Sequence, residues 1–231
     1  MMIDTHCHFD MMPNPERYIR EKEDAGDIVI GMTNLPSHFQ MGIDHVKTLR
    51  HVRLSLGMHP LLAEEGQKEM SLFRRYVDET SYIGEIGLDF SREGYCTKEL
   101  QIGILHDVLS LLRGKKKIIS VHSRRAEKEL LDLLTEYDIK NVIFHWYSGS
   151  VGLIDKILER GYYFSVNEAM CLSKNGQAIL KKLPRERILT ETDAPYNERT
   201  NIRKVLQYME MSEEEVYHNL MSLLSNLKKT N

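Results

Sequence analysis

The order of apolar and polar residues along the chain predicts short strands that alternate with longer helices. Eight short runs have strand length and are rich in β-branched residues; they lie at residues 2–8, 27–33, 51–57, 81–87, 117–122, 141–146, 162–166 and 187–192. Segments with helical spacing lie between them, for example 124–137 and 151–161, where Gly161 is a stop signal. A capping-box pattern opens the last predicted helix, 212–229.

This alternation predicts an α/β fold built from parallel βα units. Eight is the number of strands that closes a TIM barrel, so the predicted fold is a (β/α)8 barrel of eight parallel strands, in one domain over residues 1–231. An open, doubly wound sheet is the alternative. It fits less well, because no glycine-rich phosphate-binding sequence follows the first strand.

Polar residues with metal-binding chemistry lie at the carboxyl ends of the predicted strands, which share the face that carries the active site of this fold. In strand order they are His6 and His8, His59, Glu85 and Asp89, His122 and Arg124, His145, and Glu191 and Asp193. A single histidine at such a place is most often a hydrogen-bonded core residue. Five of the ten histidines lie there beside carboxylates, which favours a site for a transition metal or magnesium.

The number of ligands predicts more than one metal. It exceeds what one tetrahedral ion holds, so we expect two metal positions roughly 3.5–4 Å apart, bridged by a carboxylate. Glu85 is the predicted bridge, because its strand lies between the two groups of ligands. Asp4 shares a face with His6 and His8 but lies one step deeper, so we expect it to support a ligand rather than bind metal.

Composition and charge set wider limits. The chain has 42% hydrophobic and 28% charged residues and a formal net charge of −3, so a polyanion would have to be bound locally. Arg124 and Arg125 follow a strand end and are best placed to meet a phosphate. We expect no membrane helix and no signal peptide. Three cysteines without C-x-x-C spacing indicate a reducing compartment, so we expect a cytoplasmic location.

Taken in order, the strand-end motifs resemble the signatures of the TatD family of metal-dependent deoxyribonucleases. They read DTHCHFD, GMHP, GEIGLD, HSR, FHWYSG and ETDAPY, and they span residues 4 to 196. The resemblance implies an amidohydrolase-like barrel, metal-dependent phosphodiester hydrolysis and often 3′-to-5′ trimming of DNA. It implies one metal held by His6, His8, Glu85 and Asp193, and another held by Glu85, His122 and His145.

The resemblance also implies roles in catalysis and substrate binding. Asp193 would orient or deprotonate the attacking water, and Glu85 is the second carboxylate expected to act in catalysis. His59 and Arg124 would lie close by and contact substrate, and Glu191 would support a ligand. The ligand types favour a transition metal, whereas the family points to magnesium, so two ions of Mg, Mn or Zn are the expected cofactors.

The chain departs from the family pattern in ways that leave the metal ligands intact and the substrate open. It is short, its segment 197–211 is abbreviated, and Trp146 and Tyr147 stand where cysteine and phenylalanine are common. Trp146, Tyr147 or Phe90 could stack on a terminal base or pack the barrel rim. Compact TatD-like proteins also occur in bacterial antiphage cassettes of the Qat type, which would add protein partners in a defence complex.

Two other functions stay open at this point. One is an amide or lactone hydrolase of the same barrel class, many of which bridge two metals with a carbamylated lysine on strand four, where this chain has Glu85. The other is a metal-binding subunit of a defence complex that does no catalysis. The favoured substrate is DNA, either single-stranded or with accessible 3′ ends.

Overall fold

The computed structural model describes residues 1–197 and 199–228. Each of the eight predicted strand runs holds a strand, and one run holds two. The strands are β1 (Ile3–Cys7), β2 (Ile28–Gly31), β3 (Val52–Leu54), β4 (Leu56–Met58), β5 (Tyr82–Asp89), β6 (Ile118–Arg124), β7 (Val142–His145), β8 (Tyr163–Val166) and β9 (Ile188–Thr190). They are short and rich in β-branched and aromatic residues, as buried strands of a parallel sheet are.

Every pairing among these strands is parallel, and each strand pairs with its neighbour in the sequence. The strands form two sheets, one with the order β1–β2–β3 and the other with the order β4–β5–β6–β7–β8–β9. Only Ser55 separates β3 from β4, so the two segments share one position in the strand order: β3 pairs with β2, and β4 pairs with β5. Nine strand segments thus occupy eight positions, which agrees with the predicted (β/α)8 class.

The first and last strands of the chain lie side by side. Thr5 Oγ1 donates a hydrogen bond to the carbonyl oxygen of Thr190 at 3.1 Å, and Thr190 Oγ1 donates to the carbonyl oxygen of Ile3. Just beyond the strands, the Asp193 N–H donates to the carbonyl oxygen of His6 at 2.9 Å. The two ends of the sheet are therefore joined where the candidate ligands begin.

Helices follow the strands and flank the barrel. They are α1 (Pro15–Ala25), α2 (Pro36–Val46), α3 (Ala63–Lys68), α4 (Met70–Tyr76), α5 (Lys98–Leu112), α6 (Glu127–Glu136), α7 (Ile154–Glu159), α8 (Glu168–Leu172), α9 (Lys174–Leu180), α10 (Ile202–Met209) and α11 (Glu213–Lys228). Across residues 1–197 and 199–228, none of them has the length and apolar character that a membrane crossing requires.

Local signals explain where several helices begin and end. The predicted helix 124–137 is shorter in the structure because β6 continues through Arg124. Gly161, with φ of +75°, follows α7 as the stop signal predicted. The capping box at α11 is present: Ser212 N–H donates to Glu215 Oε2 at 2.8 Å, and Glu215 N–H donates to Ser212 Oγ at 3.2 Å. The last predicted helical residue, 229, lies outside the described residues.

Alternation along β1 separates two environments. The Cys7 thiol lies 3.5 Å from the hydroxyl of Tyr18 in α1, so this position faces the helix layer. His6 faces the barrel interior, where its Nδ1 lies 2.9 Å from Ser120 Oγ of β6. Asp4 precedes a register shift between Asp4 and Cys7 and lines a different cavity with Tyr18 and Lys22, so the expected common face of Asp4 and His6 is not found. The barrel interior is therefore polar at the carboxyl end of β1, where His6 contacts Ser120.

Candidate metal centre

Four of the predicted ligand residues bring their donor atoms together. His6 Nε2 lies 3.3 Å from His8 Nε2, 3.4 Å from Glu85 Oε2 and 3.6 Å from Asp193 Oδ1. His8 Nε2 lies 3.2 Å from the same Glu85 oxygen and 3.7 Å from the same Asp193 oxygen. Donor atoms around a tetrahedral ion lie about 3.3–3.6 Å apart when each is 2.0–2.2 Å from the metal. These residues therefore fit a divalent cation in both chemistry and spacing.

The second oxygen of Glu85 faces a different pair of histidines. Glu85 Oε1 lies 2.6 Å from His122 Nδ1 and 2.8 Å from His145 Nε2. These are hydrogen-bond distances, shorter than the spacing of atoms that share an ion. Glu85 thus has one oxygen in each group, which is the arrangement that a bridging carboxylate requires.

His59 lies closer to the ligand atoms than the sequence suggested. Its Nε2 is 3.5 Å from Glu85 Oε2, and its ring forms an edge contact with His122 at 5.0 Å between centroids. His59, Glu85 and His122 together form one of the groups of donor atoms that could hold a metal ion. His59 could therefore be a ligand as well as a substrate contact.

The charges within this buried cluster are strongly coupled. Burial alone would raise the pKa of Glu85, but the charges of His59, His145 and His6 outweigh it and hold that pKa well below the ordinary range. Burial likewise opposes protonation of His145, yet the carboxylates of Glu85 and Glu191 raise its pKa well above that of free imidazole. Protons therefore occupy histidines of the cluster when metal does not.

Two other candidate ligands have pKa values shifted towards their neutral forms. Burial and the charge of His145 lower the pKa of His6 well below its ordinary value. Burial raises the pKa of Asp193 to about 7; His145 opposes this rise, and the negative charge of Glu85 adds to it. Like charges in so small a space disfavour simultaneous ionisation, and a bound cation would relieve that repulsion.

Asp4 fixes the turn that carries Asp193. It is 4% exposed, and its two oxygens accept hydrogen bonds from the N–H and the hydroxyl of Thr192 at 3.0 and 2.6 Å. Asp193 itself has φ of +53°, a sparsely populated conformation for a residue with a side chain. Asp4 therefore holds the backbone next to Asp193, and it belongs to none of the groups of donor atoms found in the described residues.

Glu191 organises the opposite side of the site. It accepts hydrogen bonds from Asn167 Nδ2 at 2.8 Å, from the N–H of Trp146 at 3.1 Å and from Ser165 Oγ. Its Oε2 lies 3.7 Å from His145 Nδ1, too far for a hydrogen bond. Glu191 thus orders the segment around His145 mainly through the neighbours of that histidine.

A close approach of backbones aligns the two central strands. Gly87 of β5 has φ of +145°, and a Cβ there would lie 2.0 Å from the carbonyl oxygen of His122 on β6. Only glycine fits at this contact. It keeps the part of β5 that carries Glu85 and Asp89 in register with the part of β6 that carries His122.

The cluster lies at the base of a cavity of about 770 Å³. Arg124 is the one lysine or arginine among the residues that line it, and no side-chain hydrogen bond or ion pair engages this guanidinium within the described part of the chain. Three apolar side chains with substantial exposure also line the cavity: Met11, Leu61 and Tyr196, at 46, 36 and 56%. The cavity therefore combines one free cation with an apolar rim.

The three aromatic residues that the sequence offered for base stacking lie in different environments. Tyr147 is 1% exposed and packs edge-on against Phe164, so it belongs to the core. Phe90 lies outside the cavity lining, with the Lys98 ammonium 4.7 Å from its ring centroid. Trp146 does line the cavity. Packing is therefore the role of Tyr147, whereas stacking on substrate stays open for Trp146.

The sequence places Asp89 at a strand end, but neither its contact with His122 nor the position of Asn34 beside the site was predicted. Asp89 lies 2.9 Å from His122 Nε2, and the hydroxyl of Tyr196 accepts a hydrogen bond from Asn34 Nδ2 at 2.8 Å. His38, for which the sequence indicated no role at the site, also lines the cavity. A signal for His38 was present: α2 begins right after the carboxyl end of β2, so its first turn lies on the site face.

Comparisons with known proteins agree with this geometry. The family described as TatD related DNase matches residues 3–229. An uncharacterized metal-dependent hydrolase of Methanocaldococcus jannaschii is 29% identical over 93% of this chain and 91% of its own length. Human deoxyribonuclease TATDN3 is 28% identical over 84% of this chain and 78% of its own.

A solved structure supports the same fold. The crystal structure of YjjV, a TatD homologue from Escherichia coli K12, matches with a TM-score of 0.84 at 22% identity, covering 98% of this chain and 97% of that one. The family match and the fold confirm the predicted barrel class and the prediction of a metal-dependent hydrolase. The chain belongs to the TatD related DNase family, and it is a metal-dependent hydrolase of that family.

Proposed function

We propose that this chain is a phosphodiester hydrolase that uses two metal ions, and that it removes nucleotides from the 3′ ends of single-stranded DNA. The observation that carries the proposal is the position of Glu85, whose Oε2 lies among the donor atoms of His6 and His8 and whose Oε1 lies between His122 and His145. A carboxylate with one oxygen in each of two histidine groups is suited to hold two cations side by side.

The roles of the ligand residues follow from this arrangement. One ion would be held by His6, His8, Glu85 and Asp193. The other would be held by Glu85, His122 and His145, with His59 adjacent. Bound divalent ions lower the pKa of a water molecule and offset charge on phosphoryl oxygens. Asp193, at the edge of the first group, would accept the proton of the attacking water.

Arg124 would bind the substrate phosphate. Its guanidinium lines the cavity and has no ion pair among residues 1–197 and 199–228, so it can form a bidentate contact with a phosphate without first breaking another interaction. Phosphate contacts position a substrate without reading its sequence. We therefore expect hydrolysis with little dependence on base sequence.

The cavity favours a single strand over a duplex. Its lining supplies one arginine and no lysine, and exposed apolar side chains occupy the rim. A duplex would present a second row of phosphates to this rim, whereas a single strand can turn its bases towards it. The relatives named as deoxyribonucleases, such as human TATDN3, support DNA as the polymer.

The competing amide or lactone hydrolase has less support. That class commonly needs a lysine on the fourth strand position, and here Glu85 occupies the bridging place on β5. A metal-binding subunit without catalysis would keep the same ligands, so only activity measurements separate it from an enzyme. Partners in a defence complex stay a prediction.

The test is a nuclease assay on end-labelled single- and double-stranded oligonucleotides, run separately with Mg²⁺, Mn²⁺ and Zn²⁺. His122→Ala and Asp193→Asn should each lower activity by roughly 100-fold or more, because each removes a proposed ligand. His106→Ala is the matched control, since His106 contacts Tyr137 away from the site. Full activity in both site variants would contradict the assignment. Faster turnover of amides or lactones than of DNA would select the competing hydrolase.

A further inference from the structure

A second cavity adjoins the metal centre. It measures about 270 Å³ and lies between α1 and α2, with Pro15 and Ile19 on one side and Met41 and Gly42 on the other. Met11 and His38 line both this groove and the larger cavity above the ligand cluster. The two spaces are therefore adjacent, with Met11 and His38 at their common boundary.

The groove has a buried apolar floor and exposed methionine side chains at its edges. Phe9 is 2% exposed and Ile19 is 9% exposed, whereas Met11 and Met41 on its edges are 46 and 68% exposed. Methionine side chains are flexible and polarisable, and they pack well against flat rings. Exposed apolar side chains that cluster beside the candidate site indicate a surface that binds a ligand.

The polar groups of the groove suit an uncharged ligand. Asp10 Oδ2 lies 3.9 Å from His38 Nδ1, and both Asp10 Oδ1 and His38 Nδ1 are buried atoms without a hydrogen-bond partner in the described parts of the chain. Glu16 and His45 complete the polar lining, and neither lysine nor arginine contributes to it. A carboxylate repels phosphate but accepts hydrogen bonds from the N–H groups of a base.

We propose that the groove between α1 and α2 binds a nucleobase of the substrate, next to the phosphate that is hydrolysed. This inference rests on the proposed nuclease function. Arg124 would hold the phosphate in the main cavity, and the chain would pass Met11 so that the base enters the groove. The base would lie against Met41 and present N–H donors to Asp10.

The experiment measures binding of a fluorescent DNA trinucleotide to the Mn²⁺-loaded Asp193→Asn protein, in which hydrolysis is suppressed. Met41→Glu should raise the Kd roughly tenfold, since base stacking contributes this order of affinity. Met41→Leu keeps an apolar side chain and should stay within about twofold of the parent. Gln40→Glu is the matched control, because it adds the same charge to an exposed neighbouring position of α2 outside the groove.

Trinucleotides with an abasic sugar at the terminal or the penultimate position identify the base. One of them should bind about tenfold more weakly to the parent protein, and Met41→Glu should then add little further loss. Equal affinities for all variants, or fully additive losses, would overturn the proposal. So would unchanged binding by Met41→Glu together with an altered sedimentation coefficient, which would make the groove an interface between copies.

Failure of the nuclease function can be told apart from failure of the groove. The protein with Asp193 intact is assayed on DNA and on bis(4-nitrophenyl) phosphate, a small ester without a base. Loss of base-dependent binding while DNA is cleaved overturns the groove alone. Base-dependent binding that responds to Met41→Glu, with ester hydrolysis but no cleavage of DNA, supports the groove and contradicts the deoxyribonuclease assignment.

Discussion

Asp89 Oδ2 lies 2.9 Å from His122 Nε2, and the other ring nitrogen of His122 lies 2.6 Å from Glu85 Oε1. Asp89 is fully buried at the carboxyl end of β5, opposite Arg124 in the register with β6. Its Oδ1 also accepts a hydrogen bond from the Ser91 N–H at 2.8 Å, which fixes the carboxylate. Asp89 therefore orients the His122 ring so that Nδ1 faces Glu85, the proposed bridging carboxylate.

Replacing Asp89 should weaken metal binding without removing a ligand. In Asp89→Asn the ring of His122 loses its charged partner, and we expect metal affinity to fall by roughly 10–100-fold at the position that His122 serves. Isothermal titration with Mn²⁺ measures this change. Asp78→Asn is the control, because Asp78 is an exposed aspartate paired with Lys115. An affinity equal to that of the parent would show that Asp89 has no orienting role.

Metal binding should depend on pH through His122 and His145. Burial opposes their protonation, but the hydrogen bonds that His122 donates to Asp89 and Glu85 raise its pKa, and the carboxylates of Glu85 and Glu191 raise the pKa of His145. Metal binds neutral imidazole, so a cation must displace these protons, and affinity should fall as pH decreases through those raised pKa values. No proton has to be displaced from His6 near pH 7, because its lowered pKa keeps this imidazole neutral.

Titrations in two buffers of different ionisation enthalpy count the protons released. At pH 7 we expect proton release on metal binding by the parent protein and less release by His145→Gln, which lacks one titrating ring. A proton count of zero for the parent would contradict the raised pKa values.

Metal removal should lower the melting temperature. At a metal concentration of about 100 times Kd, binding adds about 2.7 kcal/mol to the free energy of unfolding. For a chain of this size that corresponds to roughly 5–10 °C. Differential scanning calorimetry with and without EDTA measures the shift. Glu85→Gln should show a much smaller one, because it weakens a ligand of both proposed ions; an equal shift would argue that the stabilising ion binds elsewhere.

The contact between Asp4 and Thr192 should matter for stability even without metal. Thr192→Val removes the hydroxyl that donates to Asp4 Oδ2 and leaves a buried carboxylate oxygen without that partner. We expect the free energy of unfolding to fall by about 1–3 kcal/mol. Urea unfolding of the metal-free protein tests this, with Thr135→Val on the exposed face of α6 as the control. Similar losses in both variants would mean that the buried hydrogen bond contributes little.

Periodicity alone was enough to predict the strand positions and the face on which the site lies. Alternation in residues 2–8 placed His6 and His8 on one face, and their donor atoms lie 3.3 Å apart in the structure. Most barrel strands are buried apolar runs, and the polar residues at the carboxyl ends of several of them, such as Asp89 and His145, stand out against those runs. The ligand roles that we assigned to these residues stay proposals.

Other features of the site could not be predicted from periodicity, because they depend on the paths of loops and on side-chain rotamers. The interruption at Ser55 leaves no trace in the apolar pattern. The pairing of Asp89 with His122 requires a particular orientation of the ring, which no spacing encodes. Met11 and Tyr196 reach the cavity from segments outside the strands, where neither a period of two nor of 3.6 residues applies.

The join between β1 and β9 has a consequence for how the site comes into being. His6 and His8 belong to the first strand, and Asp193 follows the last one, so nearly the whole chain separates ligands of the same proposed ion. A partly made chain, or a barrel that has opened between β1 and β9, would keep His6 and His8 together but lose Asp193 as their neighbour. A cation held by these residues would link β1 to the segment after β9, so its affinity would depend on the contact between the two strands.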